Sequence, residues 1–271
     1  MSFIWYILMV VGLGGMIWCA KAQKRIANAK IYAIVCLVLI VISAIMALVN
    51  EFGPDPETKR FSENEKQFTL ARLSRIAEFV NKNYAGRKVA ILIHQNDIPN
   101  STNSQWIRVD KVKELKSFLK GVTVLDPVII KPVTNGNEEA AEDLSLSNEN
   151  LDKMFDECKA LQPDVVIYLS GFSEGTETKK LKVWKWKGKN EPKLILAGVS
   201  DINAIRPKAL KEDDGVLEAV VMSRITIDKS KFDPMKDNAP KDLKEAFDVQ
   251  YVLVTKENFE SLLKDKVIEI P

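Results

Sequence analysis

Residues 164–170 read DVVIYLS, an acid, five apolar residues and a serine. The run is too short for a buried helix, it is rich in β-branched and aromatic residues, and no alternation separates a wet face from a dry one. Such a segment is expected to be a strand covered on both faces, the form strands take inside a parallel sheet. Five more runs have the same character: KVAILI (88–93), VTVLDPVII (122–130), KLILAGV (193–199), VLEAVVMSRI (216–225) and VQYVLVT (249–255). Between them, Trp106, Val109, Val112, Leu115 and Leu119 share one helical face, and Leu151, Met154, Phe155, Cys158 and Leu161 share another. Helix alternating with strand predicts an α/β fold, a three-layer sandwich with a mostly parallel sheet of about five to six strands.

Upstream the composition changes. Phe3 to Ala20 is 18 residues without a charge, and Ile31 to Val49 is a further 19. At about 1.5 Å per residue each spans a hydrocarbon core of about 30 Å, so residues 1–50 predict a transmembrane hairpin with helices over about 3–20 and 31–49. The link KAQKRIANAK holds Lys21, Lys24, Arg25 and Lys30, and residues 1–50 contain no Asp or Glu. A short basic loop is retained in the cytoplasm, which puts the N-terminus and the C-terminal part outside it, as in a bacterial inner membrane with a periplasmic domain. Trp5, Tyr6, Trp18 and Tyr32 lie near the helix ends, where amphipathic rings favour the headgroup layer. Ala20-Lys21-Ala22 has the small-x-small form of a signal-peptidase site, but Met1-Ser2-Phe3 lacks a basic n-region, so an uncleaved hairpin is expected. Gly12, Gly14, Gly15, Ser43 and Ala47 are the small residues expected where the two helices touch.

The 39 basic residues of the chain less those four leave 35 against 37 acidic, which gives no reason to expect a nucleic-acid partner. Cys158 is the only cysteine after residue 50, so no disulfide can form within the soluble part. About 210 residues must be held by an ordinary core. Residues 51–61, with Gly53-Pro54-Asp55-Pro56, predict a linker, and 62–271 the extracytoplasmic α/β domain. Ser62-Glu63-Asn64-Glu65 spells a capping box, followed by Phe68, Ala71, Leu73, Ile76, Phe79 and Val80 at helical spacing to about Tyr84. Residues 134–148 and 229–242 are polar and irregular.

The order of KVAILI, PDVVIYLSG, PKLILAG and GVLEAVVMS resembles one lobe of a periplasmic binding protein over residues 60–225. That family clamps a ligand between two such lobes, and this chain has room for one. The resemblance therefore implies a single binding-protein-like lobe and transfers no binding residue.

In an open parallel sheet, ligands sit beyond the carboxyl ends of the strands. Those ends carry His94, Asn96, Asp97, Ser170 and Asp201, the candidate ligand-binding residues. His94 is the only histidine, which excludes a multi-histidine metal site, and the carboxylates show no calcium-loop spacing; no metal and no cofactor is expected. There is no Walker lysine loop and no Gly-x-Gly-x-x-Gly after a strand.

Gly171-Phe172-Ser173-Glu174-Gly175 has the spelling of a hydrolase nucleophile elbow, but the histidine precedes Ser173 by 79 residues, and the next residues carry no helix pattern. A serine hydrolase using Ser173 is the remote reading. The stretch beyond the elbow alternates Lys with Val and Trp through Lys182, Trp184, Lys185, Trp186 and Lys187, which predicts a strand turning at Gly188-Lys189-Asn190. Its tryptophans pack on the domain or on a partner, its lysines meet an anionic surface, or it is an edge strand guarded by lysine. These features favour a non-enzymatic scaffold or interaction subunit of an envelope assembly, with membrane lipids and protein partners or a second copy as contacts. A small-molecule sensor or receptor is the alternative.

Overall fold

The computed structural model describes residues 3–23, 25, 28–52, 56–99, 109–131, 147–172, 176–188, 190–199, 210, 215–224, 232–233 and 236–268. The chain divides into two compact units, residues 1–60 and 61–271.

The first unit holds α1 (Phe3–Ala22) and α2 (Ala29–Phe52), both long and apolar enough to cross a membrane. Their seam is built from small side chains. Cys19, Ser43 and Ala47 are buried, a Cβ on Gly12 would lie 2.6 Å from Ile40 Cγ1, and one on Gly15 would lie 2.7 Å from Cys36 Sγ. Gly14 has nothing within 4 Å of such a Cβ, so its placement in the seam is corrected. The reason is helical geometry: at about 100° per residue, position 14 points away from 12 and 15. Cys19 is buried in the seam, and Cys36 Sγ lies against Gly15, one helical turn before Cys19. A short bifunctional thiol reagent is therefore expected to join Cys19 to Cys36, with Gly12→Leu cutting the yield several-fold and Gly14→Leu leaving it unchanged. Equal loss in both variants would refute this seam.

The second unit is a seven-stranded sheet with helices on both faces. Helix α3 (Pro56–Asn83) leads into β1 (Lys88–His94), followed by α4 (Lys111–Phe118), β2 (Thr123–Val124), β3 (Val128–Ile130), α5 (Asn148–Ala160) and β4 (Val165–Tyr168). Then come β5 (Lys193–Val199), β6 (Leu217–Ser223), α6 (Leu243–Gln250), β7 (Tyr251–Thr255) and α7 (Phe259–Lys264). The order is β2-β1-β4-β5-β6-β7, with β3 also paired to β1; all pairs are parallel except β6 with β7.

Alternate residues of each strand feed two cores, as the pleat requires. Val165 and Ile167 join Ile91, Ile195 and Val221 beneath α3, α4 and α6, where Ile76, Leu115 and Phe247 are buried. Val166 and Tyr168 join Leu92, Leu196 and Val220 beneath α5 and α7, with Phe155, Cys158 and Phe259. Burial, with a smaller push from Glu157, raises the Cys158 thiol to about 12, so it is an inert core filler.

Several local expectations are corrected. Helix α3 starts at Pro56 inside the expected linker, a position proline tolerates in a first turn, and Ser62 lies within it. Asn64 instead bridges elements: its amide donates to the Asp237 carbonyl at 2.9 Å and accepts from the Ala239 N–H at 2.6 Å. The 122–130 run splits into β2 and β3 around Asp126-Pro127, since proline has no N–H for the ladder. Helix α4 begins at Lys111, its N-terminus capped by the Asp110 carboxylate, so Val109 precedes it; Trp106 lies outside the described residues.

The Lys/Trp segment is not a strand. It forms two 3-10 turns, Thr178–Lys180 and Lys182–Lys185, and Gly188, at φ 111°, turns the chain toward β5. Val183 and Trp184 are adjacent and both buried, which a strand with one dry face does not allow.

Candidate functional site

Strand β1 delivers His94 to the carboxyl edge of the sheet, and its neighbour β4 delivers Ser170 there. Directly after β1 a 3-10 turn, Gln95–Asp97, swings Asp97 back over that edge. The Ser170 hydroxyl accepts the His94 backbone N–H at 2.8 Å and donates to Asp97 Oδ2. The other Asp97 oxygen accepts Lys111 Nζ at 2.6 Å. Lys111, the first residue of α4, is a member that sequence reasoning missed. No motif marks it, because it lies 14 residues from Asp97 and meets it only through the path of the intervening chain.

His94 Nδ1 accepts the Asn96 backbone N–H at 3.1 Å, so the neutral ring carries its proton on Nε2. Nε2 is buried and has no hydrogen-bond partner among the described residues. Burial holds the imidazole below the usual histidine range, against an opposing pull from Asp97. The Asn96 residue as a whole is exposed. Tyr168, on the strand that carries Ser170, donates its hydroxyl to the Gly171 carbonyl at 3.1 Å, and burial, then Asp97, raises its pKa. Of the five expected ligand residues, the structure thus brings His94, Asp97 and Ser170 together, uses only the backbone of Asn96, and leaves Asp201 outside the described residues. Ser173 is also outside them. Neither ring nitrogen of His94 bonds to Ser170, so this serine is not activated by the histidine.

The lysines at 182, 185 and 187 are exposed, whereas Trp184 and Trp186 are 4% and 5% exposed. The tryptophans pack on the domain itself: Trp184 Nε1 donates to the Thr178 carbonyl at 2.6 Å, and Trp186 meets Phe155 edge-on at 6.1 Å between ring centroids.

Two concavities lie at the opposite, amino edge of the parallel strands. One, of about 750 Å³, is lined by Arg75, Lys82, Tyr84, Lys193 and Glu218 among others. Its neighbour, of about 700 Å³, shares Asn83, Tyr84 and Lys193 with it. Burial, then Glu218 and Asp164, raises the Tyr84 phenol. No grouping of His, Cys, Asp and Glu suited to a metal ion occurs among the described residues.

No protein-family model and no curated protein matches the chain. Solved structures similar to it are ABC transporter solute-binding proteins. One from Burkholderia graminis, in complex with D-arabinose, is 15% identical with a TM-score of 0.41, covering 71% of this chain and 61% of that one. A sugar-binding protein from Bacillus halodurans is 10% identical with a TM-score of 0.40, covering 70% and 62%. A carbohydrate-transporter binding protein from Agrobacterium radiobacter, also with D-arabinose, is 15% identical with a TM-score of 0.37, covering 76% and 63%. The chain spans a little over three fifths of the length of these proteins.

Proposed function

We propose that this protein is a membrane-anchored α/β domain acting as a non-enzymatic scaffold or interaction subunit, displayed outside the cytoplasm on a two-helix hairpin. The observation that carries the non-enzymatic part is the closed polar circuit at the carboxyl edge. Both Asp97 oxygens are engaged, and the Ser170 hydroxyl both accepts and donates. Groups spent on one another shape a strand end; they do not offer a substrate a nucleophile with a base beside it. The basic loop between two helices of membrane-spanning length supports the anchored, outward-facing topology. Extraction from native membranes in mild detergent tests the assembly role. The protein is expected to elute as a complex well above the size of one chain with its micelle. A lone monomer at every concentration overturns the proposal.

One observation favours a small-molecule receptor as the second reading: Nε2 of His94, buried and without a partner among the described residues, at the edge where ligands of such sheets sit. That reading requires a polar metabolite to raise the unfolding temperature of the parent protein and to lose its effect in His94→Ala.

A further inference from the structure

Residues 178–187 divide without remainder into two sets. Thr178, Leu181, Val183, Trp184 and Trp186 are buried, and the exposed residues, at 179, 180, 182, 185 and 187, are all lysine. In a 3-10 turn, side chains three apart eclipse, so Lys182 and Lys185 stand on one side of their turn while Val183 and Trp184 fill the core behind it. The backbone under them is held at several points. The Lys182 N–H donates to Asp152 Oδ1 at 2.7 Å, Trp184 Nε1 closes on the Thr178 carbonyl, and Glu177 and Asn148 exchange two hydrogen bonds. Lys180 is paired with Glu177 at 2.7 Å; Lys179, Lys182 and Lys185 have no ion-pair partner among the described residues.

We propose that this lysine face docks on the anionic phospholipid headgroups of the bilayer that anchors the protein. Two features select a headgroup layer over a protein. Protein hot spots are built on exposed aromatic and arginine side chains, whereas here both tryptophans are inside and only hydrated point charges face out. A layer of phosphates is read by charge alone, through clustered lysines. The tether supplies the second feature: α2 ends at Phe52 and α3 begins at Pro56, so contact with the bilayer is intramolecular and needs no affinity for a free ligand. The inference rests on the membrane reading of α1 and α2.

The test is amine-labelling footprinting of the full chain in nanodiscs of pure phosphatidylcholine and of phosphatidylcholine with roughly a third phosphatidylglycerol, read by peptide mass spectrometry. At low salt, Lys179, Lys182 and Lys185 are expected to label at least about threefold more slowly in the anionic discs, and to regain their rate at about 0.5 M salt. Lys244, exposed on α6, serves as the reference and keeps its rate. The Lys182→Glu/Lys185→Glu variant is expected to unfold like the parent, and Lys179 should then lose its protection. Equal labelling of Lys182 and Lys185 in both discs, with the chain inserted, overturns the docking proposal alone. A chain that does not enter discs of either composition overturns the membrane reading and the docking with it.

Discussion

Trp184→Ala lowers the unfolding free energy of the α/β unit by roughly 3–5 kcal/mol, the range for truncating a large buried aromatic. The ring is 4% exposed and belongs to the core beneath α5, where it lies among Leu181, Val183 and Phe155. Its removal leaves a cavity, and it also deprives the Thr178 carbonyl of the indole N–H that holds one 3-10 turn onto the next. By contrast, Lys185→Ala, one residue away on the exposed side, changes stability by no more than about 0.5 kcal/mol. Urea unfolding in detergent, followed by near-ultraviolet circular dichroism, measures both. The midpoint is expected to fall in Trp184→Ala with the slope unchanged. A loss below about 1 kcal/mol would place the ring on the surface, as a strand with an outward tryptophan would have it.

Asp97→Ala is the second large effect, at roughly 2–3 kcal/mol. The figure lies between the value of an exposed ion pair and the cost of breaking a fully buried one, because the Lys111 and Asp97 side chains retain 17% and 27% exposure. Alanine leaves the Lys111 ammonium without its counter-charge and the Ser170 hydroxyl without its acceptor. Lys111→Met gives a control of similar volume. If the two act as a pair, the double variant costs less than the sum of the singles, with a coupling of about 1 kcal/mol or more. Additive losses would show that Asp97 serves the turn and not the lysine. Full stability of Asp97→Ala together with loss of a metabolite's thermal shift would transfer this cluster from the scaffold reading to the receptor reading.

Much of the architecture was legible from composition alone. KVAILI, DVVIYLS and KLILAGV are apolar at successive positions, and such runs have nowhere to go but between two layers of helices. They became β1, β4 and β5, each paired in parallel with its neighbour. The short-range patterns were less secure. In residues 182–187 the lysines at 182, 185 and 187 fit a period of two over part of their length and a period of three over the rest. Only the burial of adjacent Val183 and Trp184 decides for the 3-10 turn. Ser62 to Glu65 fits a capping box, and it fits the interior of a longer helix equally well. Gly14, beside Gly15, was separable from the seam by angular position on a helix, but counting small residues ignores angle.

The candidate site divides in the same way. That His94, Asp97 and Ser170 would gather at one edge came from the parallel order of β1 and β4, since equivalent strand ends lie side by side. That Ser170 would bond to both Asp97 and the His94 backbone N–H, with Lys111 as the fourth member, had no such source. The Ser170–Asp97 contact joins residues 73 apart, and its geometry depends on the register of two strands and the path of the turn after β1. By itself, then, the sequence determined two helices of membrane-spanning length and an α/β sheet buried on both faces, because hydropathy and backbone pairing are set by the local run of side chains. Only the tertiary structure decided that the tryptophans face inward beneath a lysine surface, and that Asp97, Ser170 and Lys111 bond to one another at the carboxyl edge while His94 Nε2 has no partner among the described residues. Those outcomes depend on which distant side chains come within hydrogen-bonding or packing distance, and short-range composition carries no record of that.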